Sequence, residues 1–414
     1  MFQSNLFEVQ MRFLFFFVGL ISSIFSVELG VDQFFSHEIS NEIKEKNIGL
    51  IVNQTSMNQK LESTINLFVK NGFKVKALFT PEHGLFGAVE AGEKVTNSTY
   101  LSIPVHSLYG ETRRPTAKML EGIDVLIFDI QDIGVRSYTY ASTLFYVMEE
   151  AAKLKKTLIV LDRPNPLTGM LVDGMMLEAE FRSFVGYINV PYCHGLTIGE
   201  LALFFNQEYS IGIDLKVVPM KGWRRSMSFQ DTKLPWIPCS PYIPESDTPY
   251  YYATTGLIGE LGLASIGIGY TLPFKMLGAP WIDADSFASH LNSQRLPGVK
   301  FIPTHYKPFY GQYKGQVCHG VLIKILDPRH YKPATTQMML LGLLKSLYPK
   351  AFQDAISKVS KNSKDLFCKC SGTKQILHIL EKEKYASWKL IGFQADERDA
   401  FVQKRKKYLI SSYE

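Results

Sequence analysis

Phe79-Thr80-Pro81-Glu82-His83-Gly84-Leu85-Phe86-Gly87 completes the run that begins at Val75, and Ala91-Gly92-Glu93-Lys94-Val95 follows shortly after. Val75 to Phe79 reads as a buried strand. The proline, carboxylate, imidazole and glycines behind it are too many breakers for that strand to continue. A strand that stops and hands ionisable side chains to a glycine-bounded loop is how open α/β sheets build sites at their carboxyl ends. Glu82 and His83 are therefore the first candidates for chemistry. The competing reading is a surface turn whose Glu and His are merely solvated.

The flanking chain repeats the pattern. Asn47 to Val52 reads as a strand ending in the polar loop Asn53-Gln54-Thr55-Ser56. A helix follows, with Leu61, Ile65, Leu67 and Phe68 at helical spacing and a stop at Asn71-Gly72. Asp124 to Ile130 is a third strand, opening into Gln131-Asp132-Ile133-Gly134-Val135-Arg136-Ser137-Tyr138-Thr139-Tyr140. Residues 141–155 look helical, and Thr157 to Asp162 is a fourth strand, ending in Arg163-Pro164-Asn165-Pro166. Near-continuously apolar strands alternating with helices indicate a parallel sheet buried on both faces, an α/β fold with a Rossmann-like doubly wound sheet. In such a sheet the loops at Asn53, Glu82, Asp129–Arg136 and Asp162–Asn165 converge on one edge.

Farther on, Thr197 and Glu200 stand at capping-box spacing before an apolar run, which gives Glu200 a structural role and leaves His194 freer to face a ligand. Past residue 210 the texture changes. Residues 234–252 are rich in proline and tyrosine, which suits either a wall for stacking a sugar ring or a packed interdomain crossover. The glycine-rich run Gly256–Gly269 lacks the order of a phosphate-binding loop. A strand over 317–327 and helices over 335–349 and 373–384 make this half a smaller, mixed α/β domain. The expected division is a signal peptide at 1–26, a Rossmann-like domain at 27–210 and a C-terminal domain at 211–414.

At 414 residues the chain suits two domains, and 46% hydrophobic with 20% charged residues is ordinary globular composition. The net charge of +6 is mild, and its densest basic stretch, Lys404-Arg405-Lys406-Lys407, reads as a solvated helix face, so nucleic acid is not implied. Met11-Arg12, the apolar Phe13 to Ile21 and small residues up to Ser26 form a secretory signal pattern whose start is possible at Met11, and export to the periplasm or medium is expected. An uncleaved anchor is the alternative; no later stretch is apolar enough to span a bilayer. Five cysteines, an odd number, imply no disulfide framework.

Glycoside hydrolysis commonly uses two carboxyl groups, one protonating the leaving oxygen and one attacking or activating water. Glu82, Glu93, Asp129 and Asp132 are candidates near the one predicted edge. Arg136 is suited to hold a substrate carboxylate bidentately; an ion pair with Asp129 or Asp132 is the alternative. Tyr138 and Tyr140 read as site lining or as a packed first helical turn. His83, His106, His194 and His319 lack metal-ligand rhythm, no GxSxG elbow is present, and no GxGxxG follows the first strand, so neither a metal nor a cofactor is implied.

Taken together, Thr80–Gly84, Ala91–Glu93, Asp129–Arg136 with Tyr138–Tyr140, Asp162–Pro166, His194–Ala202, Ser240-Pro241 and Gly278–Asp283 resemble the bacterial exo-β-N-acetylmuramidase family (NamZ type). The motifs run in order from about residue 45 to the 340s. The resemblance implies a cleft between the two domains as active site, and removal of non-reducing-end N-acetylmuramic acid from peptidoglycan fragments. It makes Glu82 the leading catalytic carboxylate with His83 beside it; Glu93 and Asp132 stay candidates for a second carboxylate. Asn53, Asp129, Gln131, Arg136, Tyr138, Tyr140, Asn165 and His194 become the substrate-binding set, with the lactyl carboxylate of the sugar on Arg136. The sugar's own acetamido group as nucleophile and a second carboxylate both remain open. The chain departs from the family pattern at Ser265–Gly269, where Ile266 and Ile268 replace an acidic and a basic residue around Gly267. That departure bears on sugar preference and leaves a non-catalytic muropeptide-binding protein, or a glycosidase for another sugar, as alternatives.

Overall fold

The computed structural model describes residues 26–414; the expected signal sequence lies outside them, save for its last residue. Seven strands form the first sheet: β1 (Asn47–Val52), β2 (Lys74–Thr80), β3 (Ser98–Tyr100), β4 (Ile103–Ser107), β5 (Val125–Asp129), β6 (Thr157–Leu161) and β7 (Asp214–Val218). Their order is β3-β4-β2-β1-β5-β6-β7. Every pairing is parallel except the short β3–β4 edge. The chain winds outward from β1 through β2 to β4, then restarts at β5 and winds the other way. The switch point therefore lies between β1 and β5, where doubly wound sheets place their sites.

The strands owe their burial to alternation between two cores. Ile48, Leu50 and Val52 of β1, Val125 and Ile127 of β5, and Ile159 and Leu161 of β6 face one side. Ile51, Leu126, Phe128, Leu158 and Val160 face the other. Helices α1 (Gly30–Phe34), α2 (Glu38–Glu42) and α3 (Thr64–Lys70) belong to the first side, where Phe34 packs on Phe68 at 4.9 Å and on Phe73 at 5.8 Å. Helices α4 (Thr139–Lys153) and α5 (Ile198–Glu208) bury apolar residues in the second core. The Thr197–Glu200 capping box forms at the start of α5 as its spacing predicts, and Glu200 also makes a buried ion pair with Arg225. β7 pairs with β6 beyond the division expected at residue 210.

The second domain holds α6 (Thr248–Leu261), β8 (Met276–Ala279), α7 (Ala284–Ser293), β9 (Val299–Tyr306), β10 (Cys318–Ile325) and α8 (Pro333–Leu347), with the antiparallel order β8-β10-β9. Five short helices follow: α9 (Pro349–Lys358), α10 (Lys361–Ser371), α11 (Gln375–Lys382), α12 (Ser387–Gly392) and α13 (Ala395–Lys404). The first four pack around α6 and α8, while α13 sets Phe401 against Phe204 of α5 at 5.9 Å. Among the described residues no helix is long and apolar enough to cross a membrane. All five cysteines are free and buried.

The chain end returns to the first domain. Arg405, expected on a solvated face, is buried, and its guanidinium donates to the carbonyls of Gly169 at 3.1 Å and Gly195 at 2.7 Å. Tyr413 is fully buried edge-on to Trp223 at 4.9 Å. Its hydroxyl donates to Asp162 Oδ2 at 2.7 Å and accepts from the Met220 N–H at 2.9 Å. Asp162 in turn accepts from Thr197 Oγ1 at 2.7 Å and the Gly199 N–H at 2.8 Å, so one carboxylate joins the chain end to the start of α5. Removing that hydroxyl strands the buried Met220 N–H and leaves Asp162 Oδ2 with Thr197 Oγ1 alone, at a cost of about 1–3 kcal/mol. Tyr413→Phe is expected to lower the melting temperature without changing the circular dichroism spectrum. A variant that melts with wild type would show that the tail is not bound through this hydroxyl.

Candidate active site

β2 delivers Glu82 to the sheet edge, and the turn behind it closes around the carboxylate. Pro81 offers no N–H to prolong the strand. His83 and Gly84 follow at φ of +70° and +78°, a left-handed pair that folds the chain back. His83 Nδ1 lies 2.7 Å from the carbonyl of Val89, which pins the loop, and its ring stands edge-on to Tyr140 at 6.4 Å. The returning loop brings the Gly92 N–H to Glu82 Oε1 at 2.8 Å, and Thr139 Oγ1 donates to Oε2 at 2.7 Å. Thr139 opens α4, so the positive end of that helix faces the carboxylate. Glu82 is only 6% exposed. This is a held, buried acid and not the solvated residue of a surface turn. Tyr109 stands beside this edge, since the Leu108 N–H donates to the Thr80 carbonyl at 2.8 Å; burial first, then the Glu82 charge, holds its phenol above its ordinary value.

Around Glu82 the polar groups are incompletely used. Asn53 Nδ2, the Tyr138 hydroxyl and Asp132 Oδ1 are buried without a hydrogen-bond partner among the described residues. Such orphans are rare in folded proteins and mark where a polar ligand completes the network. Asn53 is fixed through its other atom, whose Oδ1 accepts from the Thr55 N–H at 2.9 Å. Tyr138 packs edge-on against Tyr140 at 4.8 Å and Tyr252 at 6.0 Å. The Tyr140 hydroxyl donates to the Cys239 carbonyl. Tyr252 comes from α6, and its hydroxyl lies 3.2 Å from Ser137 Oγ, so the second domain supplies part of the wall. Asp132 accepts from the Gly134 N–H at 2.8 Å through Oδ2. Burial outweighs the backbone bonds from Gly134 and Ile133 and pushes its carboxyl up to about 7.

Two family models cover this architecture. The N-terminal part of the exo-beta-N-acetylmuramidase NamZ matches residues 48–247, and the C-terminal part matches 250–410. The chain belongs to the NamZ family. It is 39% identical to the peptidoglycan beta-N-acetylmuramidase NamZ of Bacillus subtilis (strain 168) over 93% of this chain and 91% of that protein. Two crystal structures of DUF1343 family proteins from Bacteroides fragilis share the fold. One has a TM-score of 0.85 and 38% identity over 93% of this chain and 99% of that one. The other has a TM-score of 0.72 and 27% identity over 93% and 98%. As a NamZ family member the protein is a glycoside hydrolase.

Within this NamZ fold, several residues singled out from sequence are committed elsewhere. Asp129 is fully buried and bound by Arg163, with Nε to Oδ1 at 2.6 Å and Nη2 to Oδ2 at 2.9 Å, and it also accepts from Thr64 Oγ1. Arg136 neither meets a free cleft nor pairs with Asp129 or Asp132. Its guanidinium donates to the carbonyls of Met175 at 2.6 Å, Val190 at 2.7 Å, Cys370 at 3.3 Å and Ser371 at 2.6 Å. It is an interdomain staple, and burial lowers it to about 10. Asn165 is spent on the Leu167 N–H at 2.9 Å and the Leu196 carbonyl at 3.0 Å. Gln131 donates to the carbonyls of Asp132 at 2.8 Å and Pro164 at 2.7 Å.

His194 is 1% exposed, accepts from the Leu196 N–H at 3.2 Å, and is held down to about 3 by burial with Arg405 and Arg136 adding to it, so it stays neutral in working buffers. Glu93 is exposed on the loop that caps Glu82. Ile266 is buried against α6, where a methyl added to Gly259 would meet its Cδ1 at 2.4 Å, and Ile268 packs partly buried on the same core. Thr139, Tyr109 and Tyr252 belong to the site without having been singled out. Thr139 carried a signal as the middle residue of the Tyr138–Tyr140 motif, and Tyr252 as the last residue of the proline- and tyrosine-rich stretch 234–252; Tyr109 carried none.

Asp132 yields a signed pH dependence. Its folded value near 7 lies above the unfolded carboxylate value of about 3.9. The folded chain thus keeps a proton that the unfolded chain releases, a contribution present below about pH 3.9 and lost as pH rises through 7. Asp132→Asn keeps the acceptor for Gly134 and removes the ionisation. The variant is expected to match wild type in melting temperature only below about pH 3.9 and to exceed it by a growing margin as pH rises to 7. Parallel curves for the two proteins would rule out a shifted proton on Asp132.

Proposed function

We propose that the protein is an exported, exo-acting glycosidase that releases N-acetylmuramic acid from the non-reducing ends of peptidoglycan fragments, with Glu82 as the acid/base. Membership of the NamZ family supports the reaction class, and the peptidoglycan activity for which the Bacillus subtilis relative is named supports the polymer. The observation that carries the assignment to Glu82 is its double fixation, by the Gly92 N–H and Thr139 Oγ1, at the carboxyl edge of the sheet. Each carboxylate oxygen has a lone pair left over once these bonds are made. The glycosidic oxygen takes its proton from Glu82 as the bond to the anomeric carbon breaks, and Glu82 takes a proton back from the water that completes hydrolysis. The 2-acetamido group of the sugar serves as internal nucleophile, one of the exceptions to the two-carboxylate scheme. The unpartnered Asn53 amide and Tyr138 hydroxyl are suited to orient it. The signal pattern between Met11 and Ser26 supports export.

The test is release of free N-acetylmuramic acid from a disaccharide that carries it at the non-reducing end. Wild type is expected to release it, and a folded Glu82→Gln variant to do so about 10²–10⁴-fold more slowly. Equal rates would move the proton transfer to Asp132 or Glu93. Binding without release by wild type would make the protein a muropeptide-binding member of the family.

A further inference from the structure

N-Acetylmuramic acid differs from N-acetylglucosamine by an ether-linked lactyl group that ends in a carboxylate. A site that selects it needs a cation close to the acid/base, and Arg136, the residue favoured by sequence, has both Nη groups committed to carbonyls. We propose that Arg113 is the residue that reads the lactyl carboxylate. This rests on the muramidase reading of the Glu82 site.

Arg113 is exposed, and its guanidinium carbon lies 4.9 Å from the Tyr109 ring centroid and 4.5 Å from that of Phe184. The rings of Tyr109 and Phe184 pack at 5.7 Å, so together they form a platform that the planar cation rests on. Stacking covers the face of a guanidinium and leaves its in-plane N–H fork to a ligand, the geometry that suits a carboxylate bidentately. Tyr109 ties this cation to the chemistry, because it follows β4 beside the end of β2 that carries Glu82: Ser107 pairs with Thr80, and the Leu108 N–H donates to the Thr80 carbonyl at 2.8 Å.

Elimination points the same way. Arg163 is neutralised by Asp129 and Arg225 by Glu200; Arg114 pairs with Glu149 and Glu150, and Arg182 with Glu149. Arg405 is spent on carbonyls. Arg113 makes no ion pair among the described residues. The nearest rival is Lys94, exposed on the turn where the Val95 N–H donates to the Tyr109 carbonyl at 2.8 Å. A lysine there is a point charge without a fork or a stacking face.

The experiment compares a chromogenic β-glycoside of N-acetylmuramic acid with its lactyl methyl ester, which keeps the sugar and removes the charge. Wild type is expected to favour the acid by about 10–100-fold in kcat/KM, carried mainly by KM, the range of a hydrogen bond to a charged group. In Arg113→Gln that preference collapses to about one, because the acid falls to the rate of the ester. Arg113→Lys restores part of it, and Lys94→Ala leaves it intact. No preference in wild type, an intact preference in Arg113→Gln, or an equal loss on both substrates would each overturn the proposal, as would collapse in Lys94→Ala. Wild type that cleaves neither compound would instead sink the muramidase reading itself.

Discussion

The bidentate pair between Asp129 and Arg163 is the interaction on which the sheet edge depends. Both partners are removed from water, and such a pair is tolerable only when every remaining donor and acceptor is matched. Here they are matched by loops from three strands. Arg163, just after β6, also donates to the Met57 carbonyl at 2.9 Å, and Ser56 donates to the Asp129 carbonyl. Thr64, at the start of α3, supplies the third bond to the Asp129 carboxylate. The pair thus fixes the β1 and β6 loops against the end of β5. The residues on either side inherit that rigidity, Asn53 before Ser56 and the Gln131–Thr139 segment after Asp129. A fixed Thr139 is what aims its hydroxyl at Glu82.

A second network does for the domain interface what the ion pair does for the sheet edge. Arg136 leaves the β5 loop and collects carbonyls at Met175 and Val190 in the first domain and at Cys370 and Ser371 at the end of α10 in the second. Charge-assisted bonds from one rigid fork make the two halves share a single cation. Because Ser137 and Tyr138 follow Arg136 directly, their contacts with Tyr252 of α6 are set by the same anchor.

The sequence makes the parallel sheet legible because β1, β5 and β6 are buried on both faces and read as unbroken apolar runs. The half-exposed strands do not stand out. β7 and β9 mix buried and exposed positions without a clean alternation. Helix α6 hides for the opposite reason: Pro249 to Leu257 is buried nearly all round, so no polar stripe announces a helical period, and its prolines and tyrosines suggest a loop. At the site, Glu82 is legible because breakers in a row betray a functional turn. The fates of Arg136 and His194 are not, because which carbonyls a guanidinium will meet, or how deeply an imidazole will sink, depends on segments hundreds of residues away. Tyr109 enters by tertiary packing alone.

The burial of Tyr413 bears on the order in which the molecule can be completed. Domains commonly fold one after another as the chain is synthesised, the amino-terminal one first. In this chain the second-last residue fills a place between Trp223 and Asp162 in the first domain, and Arg405 fills another beneath Gly169 and Gly195. The first domain therefore has the sequence for its sheet early but lacks part of its interior until Arg405 and Tyr413 have been made. Its maturation waits on those two residues, and a nascent chain halted before them is an incomplete first domain as well as an incomplete second one.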